Sequence, residues 1–151
     1  MTDLVVYYSR TNKTKEVAET IAQEKNAKIV QINDKKDRSG PIKYMLGALD
    51  SLRGSKTSIE YENVNLKDYE TVYIGTPVWA SKPAPAVNQF ISENDFKDVN
   101  VVCFATMMGS GGKSTTENMA KEIKSKGGNV IDSFDFSSKN TDLRKLTLEK
   151  L

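Results

Sequence analysis

The residues best suited to chemistry fall in three short segments. The first is Ser9-Arg10-Thr11-Asn12-Lys13-Thr14, between an apolar run and a helical pattern. Its hydroxyls, an amide side chain and the free backbone N–H groups of a helix start make a cradle suited to a dianion. The same Ser and Thr residues would also serve as helix caps, although one cap suffices. The second segment is Gly75-Thr76-Pro77-Val78-Trp79-Ala80-Ser81-Lys82-Pro83, which holds the single tryptophan outside any helical or alternating apolar pattern. Such a ring is either a core residue or, at the edge of a site, a stacking plate for a flat ligand. The third is Thr106-Met107-Met108-Gly109-Ser110-Gly111-Gly112. Here Gly109, Gly111 and Gly112 permit close backbone approach, and Met107 and Met108 offer polarizable contacts. An ordinary turn before a helix would have the same composition.

Composition limits what these segments can do. With no histidine and one cysteine, Ser-His-Asp triads, Cys-His pairs and transition-metal sites are effectively excluded, so the protein must borrow its chemistry or do none. Cys103 lies inside the apolar run Val101-Val102-Cys103-Phe104 and reads as a buried, inert thiol. The net charge of +2, from 22 basic and 20 acidic residues, argues against a nucleic-acid partner, and no basic stripe with interleaved aromatics occurs. At 151 residues, 38% hydrophobic and 28% charged, the chain is expected to form one folded domain over 1–151. Its apolar runs are far shorter than a membrane span. Met1 leads directly into Leu4-Val5-Val6-Tyr7-Tyr8 with no secretory signal pattern, so the expectation is a cytoplasmic protein with no membrane or metal partner.

The elements that must position these segments alternate along the chain. Leu4 to Tyr8, Lys28 to Ile32, Thr71 to Ile74, Val99 to Ala105 and Asn129 to Phe136 read as strands. Helical spacing follows the first strand at Val17, Ala18, Ile21 and Ala22, from a start near Thr14. A second helix opens at Gly40-Pro41 and carries Ile42, Met45, Leu46, Leu49 and Leu52 to a stop at Gly54. Further helices run through Val87, Phe90 and Ile91, through Met119, Ala120 and Ile123, and from Asn140 or Thr141 through Leu143 and Leu146. Ser55 to Asp68 reads as a long connection. Repeated βα units imply an α/β fold, a parallel sheet with helices on both faces. In such sheets ligands bind beyond the carboxyl ends of the strands, which is where all three segments fall.

The run Tyr8-Ser9-Arg10-Thr11-Asn12-Lys13-Thr14-Lys15-Glu16-Val17-Ala18 resembles the flavodoxin phosphate signature Y-S-x-T-G-N-T-x-x-V-A. Asn12 replaces the usual Gly and Lys13 the usual Asn; Asn tolerates positive φ, so the turn can persist. The run G-T-P-V-W followed by P-A-P is similar to the flavin loop of short flavodoxin-like proteins, and the glycine-rich third segment also fits that family. The resemblance implies a three-layer sandwich with a five-stranded parallel sheet in the order 2-1-3-4-5, and FMN as a non-covalent cofactor. It implies phosphate contacts from Ser9, Thr11 and Thr14, with backbone roles for Arg10, Asn12 and Lys13. Thr76 and Pro77 would border the flavin, Trp79 would pack on the ring, and the backbone around Val78 and Ala80 would approach its N5 edge. Met107, Met108, Gly109, Gly111 and Gly112 would line the pyrimidine side.

Two rival folds fail on particular residues. Lys113-Ser114 completes a nucleotide P-loop only if Gly stands at position 107, where this chain has Met107. A phosphoryl-accepting receiver domain needs acidic residues after strand one and at the end of strand three, where Ser9-Arg10 and Gly75-Thr76 stand. The flavodoxin resemblance, with no residue that is an obvious acid, base or nucleophile, implies electron transfer between transient redox partner proteins as the expected function. The alternative is an FMN-dependent NAD(P)H oxidoreductase of quinone reductase type. In one respect the chain departs from many flavodoxins, which are strongly acidic: its sequence pI is about 8.5.

Overall fold

The computed structural model describes residues 1–35 and 58–151. Strand β1 (Leu4–Tyr7) lies inside the sheet, and every one of its residues is buried. β1 pairs in parallel with β2 (Lys28–Gln31) and with β5 (Val72–Trp79), Leu4 lying opposite Lys28 on one side and Val72 on the other. β5 pairs in parallel with β7 (Asn100–Met107), which pairs with β8 (Asn129–Ser137), the latter ladder broken by an irregularity between Val101 and Val102. The resulting order, β2-β1-β5-β7-β8, is the expected 2-1-3-4-5 when these five parallel strands are numbered alone.

Side chains alternate across a strand, so the central strands supply two cores. Val5, Tyr7, Tyr73, Val102, Phe104 and Phe134 meet Val17, Ala18 and Ile21 of α1 (Lys13–Lys25) and Leu143 of the carboxyl-terminal helix Leu143–Lys150. Leu4, Val6, Val72, Ile74, Val101 and Cys103 belong to the other core, with Val87, Phe90 and Ile91 of α2 (Pro85–Glu93) and Met119 and Ile123 of α3 (Gly112–Ser125). The carboxyl-terminal helix is α4. These two cores make the three-layer α/β sandwich. Capping defines the helix ends: Pro85 opens α2, where its missing N–H costs nothing. Asn26, at φ 50°, closes α1 with its N–H directed to the carbonyls of Ala22 and Gln23.

The structure corrects several expected boundaries. The third parallel strand does not stop at Ile74 but continues through Trp79. Gly75 and Pro77 look like strand breakers, yet the β1 ladder ends at the Tyr7–Gly75 pair, so Pro77 lies where β5 has lost its neighbour on that side and needs no donor there. Thr76, Pro77, Val78 and Trp79 are thus strand residues rather than loop residues, and Thr106 and Met107 likewise end β7. β5 then turns back through Ala80-Ser81 into β6 (Lys82–Pro83), an antiparallel addition with Trp79 opposite Lys82. A second antiparallel pair, β3 (Asn33–Asp34) with β4 (Ile59–Glu60), interrupts the expected long connection, which also holds a 3-10 turn at Leu66–Asp68. The expected helix from Gly40 to Gly54 lies outside the described residues.

Candidate functional site

The carboxyl ends of β1, β5 and β7 open into a cavity of about 380 Å³. Its lining is Arg10, Thr11, Lys13, Pro77, Val78, Trp79, Thr106, Met107, Met108 and Ser138. Residues from all three sequence segments therefore meet in one place. Ser9, Asn12, Thr14, Thr76, Ala80, Gly109, Gly111 and Gly112 are not in that lining, and each has its own position.

The first segment turns sharply into α1. Asn12 takes a left-handed conformation (φ 66°, ψ 7°) and precedes the helix, which starts at Lys13, one residue earlier than expected. Asn here does the work of a glycine, because its side chain tolerates positive φ. No side chain caps the start of α1. Ser9 Oγ is buried and has no hydrogen-bond partner. An unmet buried hydroxyl beside uncapped helix amides is an arrangement that a bound anion completes. Thr14 is buried, with its hydroxyl 2.8 Å from that of Thr106. That bond ties the first residues of α1 to the end of β7.

The second segment divides by role. Thr76 is fully buried; its hydroxyl donates to the carbonyl of Pro77 and accepts from the N–H of Ala84, at 2.9 and 3.0 Å. It fixes the β5–β6 hairpin from behind. Trp79, expected in a loop, ends strand β5. Only 2% exposed, it lies in the hydrophobic core, edge-on to Tyr8 with ring centroids 5.8 Å apart. It nevertheless borders the cavity, so one residue serves both core and site. Ala80 and Ser81 both have positive φ, 52° and 62°, the geometry of a tight hairpin turn that Asn and Gly normally occupy.

In the third segment Met107 is half-buried and Met108 is 70% exposed, both on the cavity. Gly109 stands in open space. Gly111 has φ 97°, and a Cβ there would come within 2.8 Å of Ser81 Oγ, so the glycine lets the third segment seat on the hairpin. Gly112 packs against the Asp135 side chain. Both glycines act on the cavity through packing.

Ser138 follows β8 and was not expected to take part. Its hydroxyl donates to the Met107 carbonyl at 3.1 Å and approaches Met108 Sδ at 3.2 Å, fixing the third segment from the side. The available signal was topological: the strand paired with β7 also ends at this edge, so the residue after it borders the same cavity. Cys103 is buried and its thiol is pushed up to about 12 by burial, as expected for an inert group. Among the described residues, no cluster of acidic, His or Cys side chains suits a metal, and no helix is long and apolar enough to cross a membrane.

Comparison with curated proteins gives no match. Comparison with solved structures gives several. A flavoprotein from Lactobacillus acidophilus NCFM in complex with FMN is 26% identical, with a TM-score of 0.77 over 89% of this chain and 92% of that one. The apo form of the flavoprotein from Lactobacillus acidophilus NCFM is 25% identical, with a TM-score of 0.70 over 91% and 93%. The two-electron reduced flavodoxin of Megasphaera elsdenii shares the fold at 16% identity, with a TM-score of 0.62 over 97% and 96%. The family model described as flavodoxin matches residues 2–134. With the strand order, the left-handed turn into α1 and the cavity at the sheet's carboxyl edge, that match makes this chain a member of the flavodoxin family.

Proposed function

We propose that this flavodoxin holds FMN in the cavity at the carboxyl edge of its sheet and carries electrons between other proteins. The observation that carries the reading is the buried Ser9 hydroxyl without a partner, beside the left-handed Asn12 turn and the uncapped start of α1. A terminal phosphate fits that donor set: the hydroxyl and the helix amides would hold it, with Thr11 and Lys13 at the cavity wall. Pro77, Val78 and Trp79 on one side and Met107 and Met108 on the other offer apolar walls for a flat ring system. Bound FMN supplies reversible electron uptake and release.

The protein's own part is to bind, orient and exclude water. Among the described residues of the lining the ionisable side chains are Arg10 and Lys13, and no carboxylate, histidine or thiol stands there to relay a proton to a small substrate. That supports a carrier over an oxidoreductase that turns over a small substrate. Titration of the apoprotein with FMN, riboflavin and FAD tests the cofactor. FMN should bind at least about tenfold more tightly than riboflavin, because the phosphate contacts are charge-assisted; equal affinity would remove the phosphate site. Mixing the holoprotein with NADH or NADPH tests the carrier role: without a reductase the flavin should stay oxidised.

A further inference from the structure

The cavity wall carries one strongly exposed thioether. Met108 is 70% exposed while lining the same cavity as Pro77, Val78 and Trp79. Met107 beside it is half-buried, and Met119 is 1% exposed inside the core. Met1, 80% exposed, precedes β1 at the opposite edge of the sheet, and Met45 lies outside the described residues. Among the described methionines, high exposure and a place on the cavity coincide in Met108. A methionine thioether takes up oxygen where oxidant can reach it, and the flexible apolar group becomes a polar, chiral one. A second observation gives this sulfur a handed surrounding. Ser138 Oγ lies 3.2 Å from Met108 Sδ and 3.1 Å from the Met107 carbonyl oxygen, so it covers one side of the sulfur. The sulfur has two lone pairs, and oxygen added to one or the other gives opposite sulfoxide epimers. With Ser138 against one of them, an oxidant reaches the other.

We propose that Met108 is a reversible modification site, at which hydrogen peroxide adds one oxygen and so weakens the cavity's hold on FMN. The effect on FMN rests on the cofactor reading above; the modification itself does not. The sulfur lone pair turned away from Ser138 attacks one peroxide oxygen, and an S–O bond forms as the O–O bond breaks. Sulfur gives up two electrons to the peroxide. The departing hydroxide takes the proton left on the transferred oxygen and leaves as water. A sulfoxide dipole then stands in a wall that offers a ring system apolar contact, and covering that dipole with the ring has a cost. Enzymatic reduction of the sulfoxide restores the thioether, and with it the apolar wall.

The test treats the apoprotein with hydrogen peroxide and follows each methionine by peptide mass. Met108 should gain one oxygen more than about tenfold faster than Met119, which is shut inside the core. Its sulfoxide should be mainly one epimer, a substrate for only one of the two epimer-specific methionine sulfoxide reductases. Ser138→Ala should bring the two epimers toward equal amounts. The oxidised parent should bind FMN about three- to tenfold more weakly than before treatment, and the matching reductase should restore the affinity. Met108→Leu, compared with itself before and after peroxide, should show no such change, although Met1 is oxidised in both proteins. Met108 reacting no faster than Met119, FMN affinity unmoved by its sulfoxide, or an equal loss in Met108→Leu would overturn the assignment. An even epimer mixture in the parent would overturn the part given to Ser138. A parent that binds no FMN before any peroxide is added would instead overturn the cofactor reading, while the peptide masses still decide the modification.

Discussion

Ser9 occupies an unusual energetic position, because a buried hydroxyl without a partner costs the apoprotein stability that a bound phosphate would recover. Ser9→Ala should therefore act in opposite directions on the two forms. FMN affinity should fall about 10- to 100-fold, the equivalent of about 1.5–3 kcal/mol for a charge-assisted bond, while riboflavin affinity stays level. The apoprotein should be as stable as the parent or slightly more so. Flavin titration and urea unfolding of the same preparation check both signs. Trp79 gives a second test at this scale. Its ring already packs on Tyr8, so removing flavin should change its emission through loss of the cavity-side neighbour rather than through solvent exposure. Quenching in the holoprotein, with little red shift on flavin removal, is the expected pattern. A strongly red-shifted apo spectrum would mean that the ring leaves the core.

At the scale of elements, the β5–β6 hairpin is built from residues that disfavour its geometry. Ala80 and Ser81 both hold left-handed backbones, at about 1–2 kcal/mol each for residues with a Cβ. Replacing the pair by Asn-Gly should raise stability by about 1–2 kcal/mol, read as a shift in urea midpoint at unchanged slope. Gly75 shows the opposite constraint: a Cβ there would lie 2.2 Å from the Phe104 ring, which is itself stacked on Phe134. Gly75→Ala should cost about 1–3 kcal/mol or more by overpacking. These elements also show what the sequence made legible. The parallel strands and helices were readable because Val17, Ala18 and Ile21 repeat at helical spacing and Leu4 to Tyr7 are apolar on both faces. The length of β5 was not, because Gly75 and Pro77 are read as punctuation until the end of the β1 ladder is known. Two-residue strands such as Lys82–Pro83 carry no periodicity at all. Ser138 was hidden for a different reason: its place depends on a neighbour in the sheet some thirty residues away, Met107, to whose carbonyl it donates.

For the molecule as a whole, the buried titratable groups set the alkaline limit. Burial pushes the Cys103 thiol up to about 12 from its ordinary 9.0, and burial also raises Tyr73, Tyr61 and Tyr7 above 10.0. Below about pH 9 these groups are protonated in both states and contribute no slope. Above it the unfolded chain releases protons that the folded chain keeps, so stability falls as pH rises from about 9 toward about 12. Urea midpoints at a series of pH values should decline over that window. Cys103→Ala should flatten the first part of the decline by up to about 1.4 kcal/mol per pH unit, even though the cavity it leaves lowers stability at every pH. FMN should offset part of this loss by mass action, by about 2.7 kcal/mol at a free concentration one hundred times its dissociation constant.

The hydroxyl pair of Thr14 and Thr106 makes one further behaviour follow from the fold. Their oxygens are 2.8 Å apart and either can be the donor, so the bond between them has two possible directions. An anion at the start of α1 that takes the Thr14 proton obliges Thr106 to donate in its place, and Thr106 lies on the cavity wall. If FMN binds as proposed, an anion beside Thr14 would thereby set which way the Thr106 hydroxyl points at the cavity wall, without moving any atom heavier than hydrogen. Thr14→Val and Thr106→Val should then be non-additive in FMN affinity, with a coupling of about 0.5–3 kcal/mol in the double-mutant cycle. The corresponding coupling for riboflavin, which brings no anion, should be close to zero.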